Sequence, residues 1–215
     1  MKRITCAAAL ILALTLLMSL TGCGSKAAVF APGTVDGQTY TNEFLKLTCT
    51  APEEFSYLSQ QELDELNQLT DDEAKSQEQL VQEALDGGSQ IYDMYLMTAD
   101  RQQTSSIVMT KPQTEDGVTL DMAAFADLGK SQAESAYASR GITDVTVSRD
   151  TIEFLGQSYE GIRATGMYDG NAPVYGVQFY IPVGDYVCTV TFTSYIEDTT
   201  ADMMRYFALM VTEEQ

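Results

Sequence analysis

The sequence has no histidine, which removes the commonest transition-metal ligand, the usual general base and both the Ser-His and Cys-His nucleophile pairs. Basic residues are scarce as well: 12 Lys+Arg stand against 31 Asp+Glu in 215 residues, a net charge of −19. So acidic a chain offers no basic stripe to displace counterions from a polyanion, which excludes nucleic acid as a partner. Apolar runs are short except for one, Cys6 to Leu20. Its fifteen residues would cover only about 22 Å as a helix, against a hydrocarbon core of roughly 30 Å. With only four cysteines, no disulfide framework is expected.

The beginning of the chain divides as an export leader does. Lys2 and Arg3 precede the uncharged apolar run, and small residues follow it. The adjoining Leu20-Thr21-Gly22-Cys23 resembles the lipobox of bacterial lipoproteins, where a leucine three positions before the cysteine and a small residue just before it permit cleavage. The resemblance implies a signal peptide over residues 1–22, a diacylglyceryl thioether on Cys23 as the lipid attachment, and fatty chains such as palmitate as membrane anchor. Two chains anchor far more firmly than one, at about 0.8 kcal/mol per buried methylene. Cleavage would remove Lys2 and Arg3 and no acid, leaving a net charge of −21. Anionic headgroups would repel that body, so attachment to the membrane is expected to depend on the anchor. With Cys6 lost and Cys23 acylated, Cys49 and Cys188 remain. Both fall on the apolar side of expected strands, where a free cysteine behaves as a small hydrophobe.

Residues 23–38 are small and lack a hydrophobic period, with Pro32, Gly33 and Gly37 among them, and read as a tether. Residues 39–215 show no further break or repeat and are expected to form one globular domain. Tyr40 to Ala51 alternates as a strand up to Pro52. Ser59 and Glu62 form a capping box, with Leu58 and Leu63 placed as its staple. Thr70 and Glu73 repeat the box, so two helices are expected, near 60–69 and 71–85, stopped by Gly87-Gly88. Strands follow at Gln90–Thr98 and Ser105–Lys111, then a helix over Met122–Ser139 with Met122, Phe125, Leu128, Ala136 and Tyr137 at helical spacing. Four strands, Asp144–Phe154, Ser158–Tyr168, Val174–Ile181 and Tyr186–Ser194, are separated by Gly156-Gln157, Asp169-Gly170 and Gly184-Asp185 turns. A last helix from Thr199 would align Met203, Phe207, Met210 and Val211. The order is β-α-ββ-α-ββββ-α.

A strand ending in Pro52 shortly before Phe55, a Ser59-x-x-Glu62 helix start, a Gly156-Gln157 turn into a long meander and a closing helix together resemble the PsbP/Mog1-like fold, over about residues 40–212. The resemblance implies an α+β domain in which an antiparallel sheet of six to seven strands lies between helices, an α/β/α sandwich. The roles in that group are diverse and no catalytic motif transfers, since a fold alone does not supply a function.

Side chains with chemical potential are few. Glu62, Asp64, Glu65, Asp71, Asp72, Glu73, Glu78, Glu83 and Asp86 crowd one stretch beside a single Lys75. Hard cations take clustered oxygens, so Ca²⁺ is the ligand to weigh; a solvated helix face, with several acids favoured by the helix dipole, is the plainer reading. Met94, Met97, Met203 and Met204 are read as core filling rather than soft-metal ligands. Gly166 and Gly170 lack the setting of a phosphate loop and are read as relieving crowding in a hairpin. No spacing singles out a carboxylate pair set about 5 to 9.5 Å apart for glycoside chemistry. The expectation is a protein that is not an enzyme, holds no cofactor or metal, and binds an envelope protein or ligand, with the strand residues around Tyr175 and Tyr180 as the candidate face. A small-molecule or Ca²⁺-binding lipoprotein is the alternative.

Overall fold

The computed structural model describes residues 29–69, 74–113 and 120–210. The leader 1–22, the lipobox Cys23, the first part of the tether, the Thr70–Glu73 box with Asp71 and Asp72, and Val211 lie outside the described residues.

Among the described residues the architecture is mixed α+β, with two antiparallel sheets and four helices. The large sheet has seven strands: β4 (Phe55–Tyr57), β5 (Gln90–Thr98), β6 (Gln103–Thr110), β7 (Ile142–Phe154), β8 (Gln157–Tyr168), β9 (Ala172–Val183) and β10 (Tyr186–Tyr195), in the spatial order β4-β5-β6-β10-β9-β8-β7. The four long meander strands expected from the sequence are present. Their tight turns explain the register: Leu155 and Gly156 both take positive φ (51° and 79°) between β7 and β8, the backbone handedness that matches strand twist in a two-residue hairpin. Gly166 is crowded as expected, since a Cβ there would stand 2.5 Å from Ile142, whereas Gly170 has open space around it and serves the turn by its φ of 66°.

Helix α3 (Met122–Ser139), capped by the Asp121 carboxylate on the Ala123 and Ala124 amides, covers one face. Ala126 and Tyr137 pack there with Val147, Ile162, Ala164, Val174, Tyr180 and Val187. Leu128, expected on that stripe, is 55% exposed; Gly129 takes the contact position, and a Cβ there would collide with the Tyr180 hydroxyl.

The other face holds the larger core, built from alternate residues such as Cys188, Val190 and Phe192 of β10. Its cover is a second sheet, in the order β1-β2-β3-β11, together with α2 (Gln77–Asp86) and α4 (Thr200–Met204). The single strand expected over Tyr40–Ala51 is in fact two, β2 (Thr39–Asn42) and β3 (Leu47–Thr50). The chain reverses between them because the buried Asn42 carboxamide accepts the Leu45 N–H at 2.7 Å and Lys46 takes a φ of 56°, a side-chain turn that period-two counting does not register. Helix α1 (Gln60–Leu66) starts at the expected Ser59–Glu62 box. Helix α2 starts at Gln77 rather than near 71, on an equivalent box between Ser76 and Gln79.

The last helix is also shorter than expected. After Met204 the chain becomes β11 (Phe207–Leu209), which pairs with β3. An open strand edge beside the segment gives its backbone hydrogen-bond partners, with Met210 N–H donating to the Lys46 carbonyl, and that outweighs a weak helical period. Packing begins before Thr39: residues 34–36 form β1 (Thr34–Asp36), and Phe30 is fully buried against Phe44 and Tyr186. Residues 29–38 of the expected tether thus belong to the folded body.

Candidate functional site

Strand β5 carries a bulge. Tyr92 pairs with Val108 and Met94 with Ile107, so Asp93 is an extra residue without a partner. A bulge re-aims side chains, and here it turns both Asp93 and Met94 toward the large core while Tyr92 moves to the opposite face. Unbroken alternation would put Tyr92 on one face with Met94 and Leu96, and the bulge separates it from them. The backbone edge at the bulge is covered by a side chain: Asn67, the cap of α1, donates from Nδ2 to the Tyr92 carbonyl at 2.9 Å and accepts the Tyr92 N–H at 2.7 Å. It does there what a neighbouring strand would do.

Asp93 is 6% exposed. Its Oδ1 accepts the Gly33 N–H at 2.9 Å, and its Oδ2 accepts the Asn42 Nδ2–H at 2.7 Å and the Tyr40 hydroxyl in a short bond. Tyr40 and Asn42 are fully buried. Burial raises the proton affinity of Asp93 above the usual carboxylate range, and the three donors oppose that rise without cancelling it. Tyr40 is likewise pushed up by burial first and by the neighbouring carboxylate second. The arrangement binds β2 and the residues before β1 to β5, joining the two sheets through one carboxyl group. It supplies one carboxyl group and one phenol, without a second carboxylate or an activated nucleophile, and is built to hold position.

Asp93 also forms the floor of a cleft of ≈ 820 Å³, within the range of ligand sites, about 300–1,000 Å³. One wall is the β1–β2 hairpin from Gly33 to Gln38; the other is β4 and the start of α1, from Phe55 to Leu63. Glu62 stands on the rim, where the Ser59 hydroxyl and amide hold its carboxylate below the usual range. No lysine or arginine lines the cleft.

The two tyrosines expected from the sequence to share a face do not share one. Tyr175 and Tyr180 are five residues apart on one strand, so they point to opposite sides of the sheet. Tyr180 is buried beneath α3 near Gly129, its proton affinity raised by burial. The acidic stretch is dispersed into local bonds: Glu62 with Ser59, Asp64 with Gln60 and Gln77, Glu65 with Gln61, Glu83 with Lys75, and Asp86 with Lys111 and Gln82. Among the described residues no group of three acidic or cysteine side chains could hold a metal ion. Met94 and Met203 fill the large core. Cys49 and Cys188 are free and buried; burial pushes the Cys49 thiol up to about 11 and the Cys188 thiol higher still. Reading the sequence missed Asp93, Tyr40 and Asn42. The available signal was an acid inside a strand otherwise apolar on both sides.

No known family matches the chain, and no curated protein matches it by sequence. Solved structures are similar in outline, two of them as follows. One is the solution structure of cyanobacterial PsbP (CyanoP) from Synechocystis sp. PCC 6803, at 14% identity and a TM-score of 0.44 over 88% of this chain and 98% of that one. The other is LpqN, involved in cell envelope biogenesis of Mycobacterium tuberculosis, at 10% identity and a TM-score of 0.37 over 74% of this chain and 76% of that one. At TM-scores below 0.5, neither lends residues or a role to this chain.

Proposed function

We propose that the protein is a membrane-anchored extracytoplasmic lipoprotein, held by lipid on Cys23, whose folded body is a non-enzymatic binding or accessory module of the cell envelope. The observation that carries this reading is the lipobox cysteine directly after an uncharged apolar leader, a few residues before packing begins. Val29 lies six positions after Cys23, a span of about 20 Å at most. Gly33, the first residue of the cleft wall, follows four positions later, so the anchor would keep the cleft close to the bilayer. Among the described residues no helix is long and apolar enough to cross a membrane, so in this reading attachment depends on the acylated cysteine. A second reading, a small-molecule-binding lipoprotein, has the cleft volume in its favour.

The test is metabolic labelling with a clickable palmitate analogue, combined with membrane fractionation of the wild-type protein and a C23A variant. The wild-type protein should carry label and sediment with membranes, and C23A should do neither. Wild-type protein found in the cytosol with residues 1–22 still attached would overturn the proposal.

A further inference from the structure

The cleft lies between the outer edges of two sheets. Among the described residues, strand β1 pairs only with β2 and ends one side of the small sheet, and β4 pairs only with β5 and ends one side of the large one. In antiparallel pairing, alternate residues direct their N–H and C=O groups to opposite edges, so the register shows which groups face outward.

Asp36 and Thr39 flank the two-residue turn at Gly37-Gln38, and such flanking residues bond to each other. The outward residues of this strand are therefore Gly33 and Val35. Gly33 confirms the phase, because its N–H reaches outward to Asp93 on the cleft floor. On the other wall, Leu58 N–H donates to the Tyr95 carbonyl and extends the β4–β5 register. Ser56 is then bonded inward, and Phe55 and Tyr57 direct their backbone groups outward. Phe55 confirms this phase too: its carbonyl accepts the Gln38 side-chain amide across the cleft, and its N–H turns back to the Pro52 carbonyl. Among the described residues, the outward N–H and C=O of Val35 and of Tyr57 have no hydrogen-bond partner.

We infer that the cleft is a strand-addition site, which takes an extended segment of a partner protein carrying basic residues and pairs its backbone with Val35 on one wall and Tyr57 on the other. Unpaired strand edges are templates for an added strand, whose main-chain bonds supply affinity. The Gln38 amide already occupies one such position with its side chain. The sign of the partner follows from the lining, which includes Glu62 and Asp93 and no cation, in a body of strong negative charge. The far edge of the large sheet is different: β7 carries Asp144, Arg149, Asp150 and Glu153, charges of the kind that guard an edge against pairing. The inference rests on the reading of the folded body as a binding module and names the kind of partner it takes.

The probe is a fluorescein-labelled, amidated hexapeptide of alternating lysine and valine, compared with the same peptide N-methylated at alternate backbone amides and with a glutamate-valine version. Anisotropy is measured on the lipidated protein in zwitterionic nanodiscs and on C23A, with hydrogen exchange read by mass spectrometry. Saturable binding is expected, with slowed exchange confined to segments 33–38 and 55–63. The glutamate peptide should not bind. N-methylation, which preserves charge but removes donors, should weaken binding about tenfold or more, as losing one or two bonds implies. Val35→Pro should do the same, because it deletes an outward N–H at an edge position where proline is tolerated, and circular dichroism should show its fold unchanged. Equal binding of the N-methylated peptide, undiminished binding by V35P, or protection elsewhere would overturn the inference. Binding by C23A separates the two proposals, since it persists if only the lipid reading fails.

Discussion

Replacing Asp93 tests how the two sheets are joined. Asp93→Ala deletes the acceptor for the Tyr40 hydroxyl, the Asn42 amide and the Gly33 N–H. Each buried donor left without a partner costs about 1–3 kcal/mol. Part of that loss is offset because the carboxylate no longer has to be desolvated, a cost of several kcal/mol for a buried charge. The net expectation is a destabilisation of about 2–4 kcal/mol, a large share of the stability of an ordinary domain. Asp93→Asn keeps the shape and gives a sharper result: it trades one acceptor oxygen for an amide donor that must face the Gly33 N–H or the Tyr40 and Asn42 donors, a loss that does not vary with pH, and it removes the titration. Burial raises the proton affinity of Asp93 in the folded state, so the folded chain holds this proton more tightly than the unfolded one. Its contribution to stability is fully present below the usual carboxylate range and is lost as pH rises through the raised value. D93N has no such loss, so its deficit relative to wild type should be greatest in acid and shrink toward neutral pH. Urea unfolding of both proteins at several pH values between 3.5 and 7 measures that difference, and other carboxylates such as Glu62 and Asp86 cancel in the subtraction. A constant deficit across the range would refute the claim that burial outweighs the three donors at Asp93.

The elements that could be read from the sequence were those whose signals are local. The Ser59–Glu62 box, the Met122–Ser139 helix and the meander turns at Gly156, Gly170 and Gly184 each follow from a few neighbouring residues, and the structure places them where those residues put them. The small sheet was not legible, for physical reasons. Its strands β1 and β11, like β4 at the edge of the large sheet, have three residues each, too few for a period to show, and exist because an open edge is available in space. Phe207 illustrates the difference: it was rightly expected to be buried, yet it reaches the core from a strand paired with β3 rather than from a helix face. The site was hidden for a related reason. Alternation counted through β5 assumes an unbroken register, and one extra residue at Asp93 interchanges the faces on either side of it. The three groups that meet there come from positions 40, 42 and 93, and only the packing of the small sheet against the large one brings them together. An acid within an apolar run gave notice of a buried partner without identifying it.

Two further outcomes follow from packing. In the folded protein Cys49 and Cys188 should resist alkylation by iodoacetamide, because both are buried and their thiolates are disfavoured by burial; intact-mass analysis should show both labelled only after denaturant is added, and rapid native labelling of either would contradict the packing. Gly161→Ala should be severely destabilising. A Cβ at this position would stand 2.4 Å from the Gln178 carbonyl oxygen on the adjacent strand and 2.9 Å from Phe179 Cβ. The nearest obstacle is backbone within a paired ladder, so no rotamer change can relieve it, and β8 or β9 must shift. Overpacking of this kind costs typically about 1–3 kcal/mol, and more where the backbone has to move. The entropic advantage of alanine over glycine is smaller, about 0.4–1 kcal/mol, so the sign is determined by the collision. Thermal unfolding of G161A should show a clear drop in Tm, and a midpoint equal to wild type would mean that β8 and β9 do not approach each other as closely at Gly161 as the paired register requires.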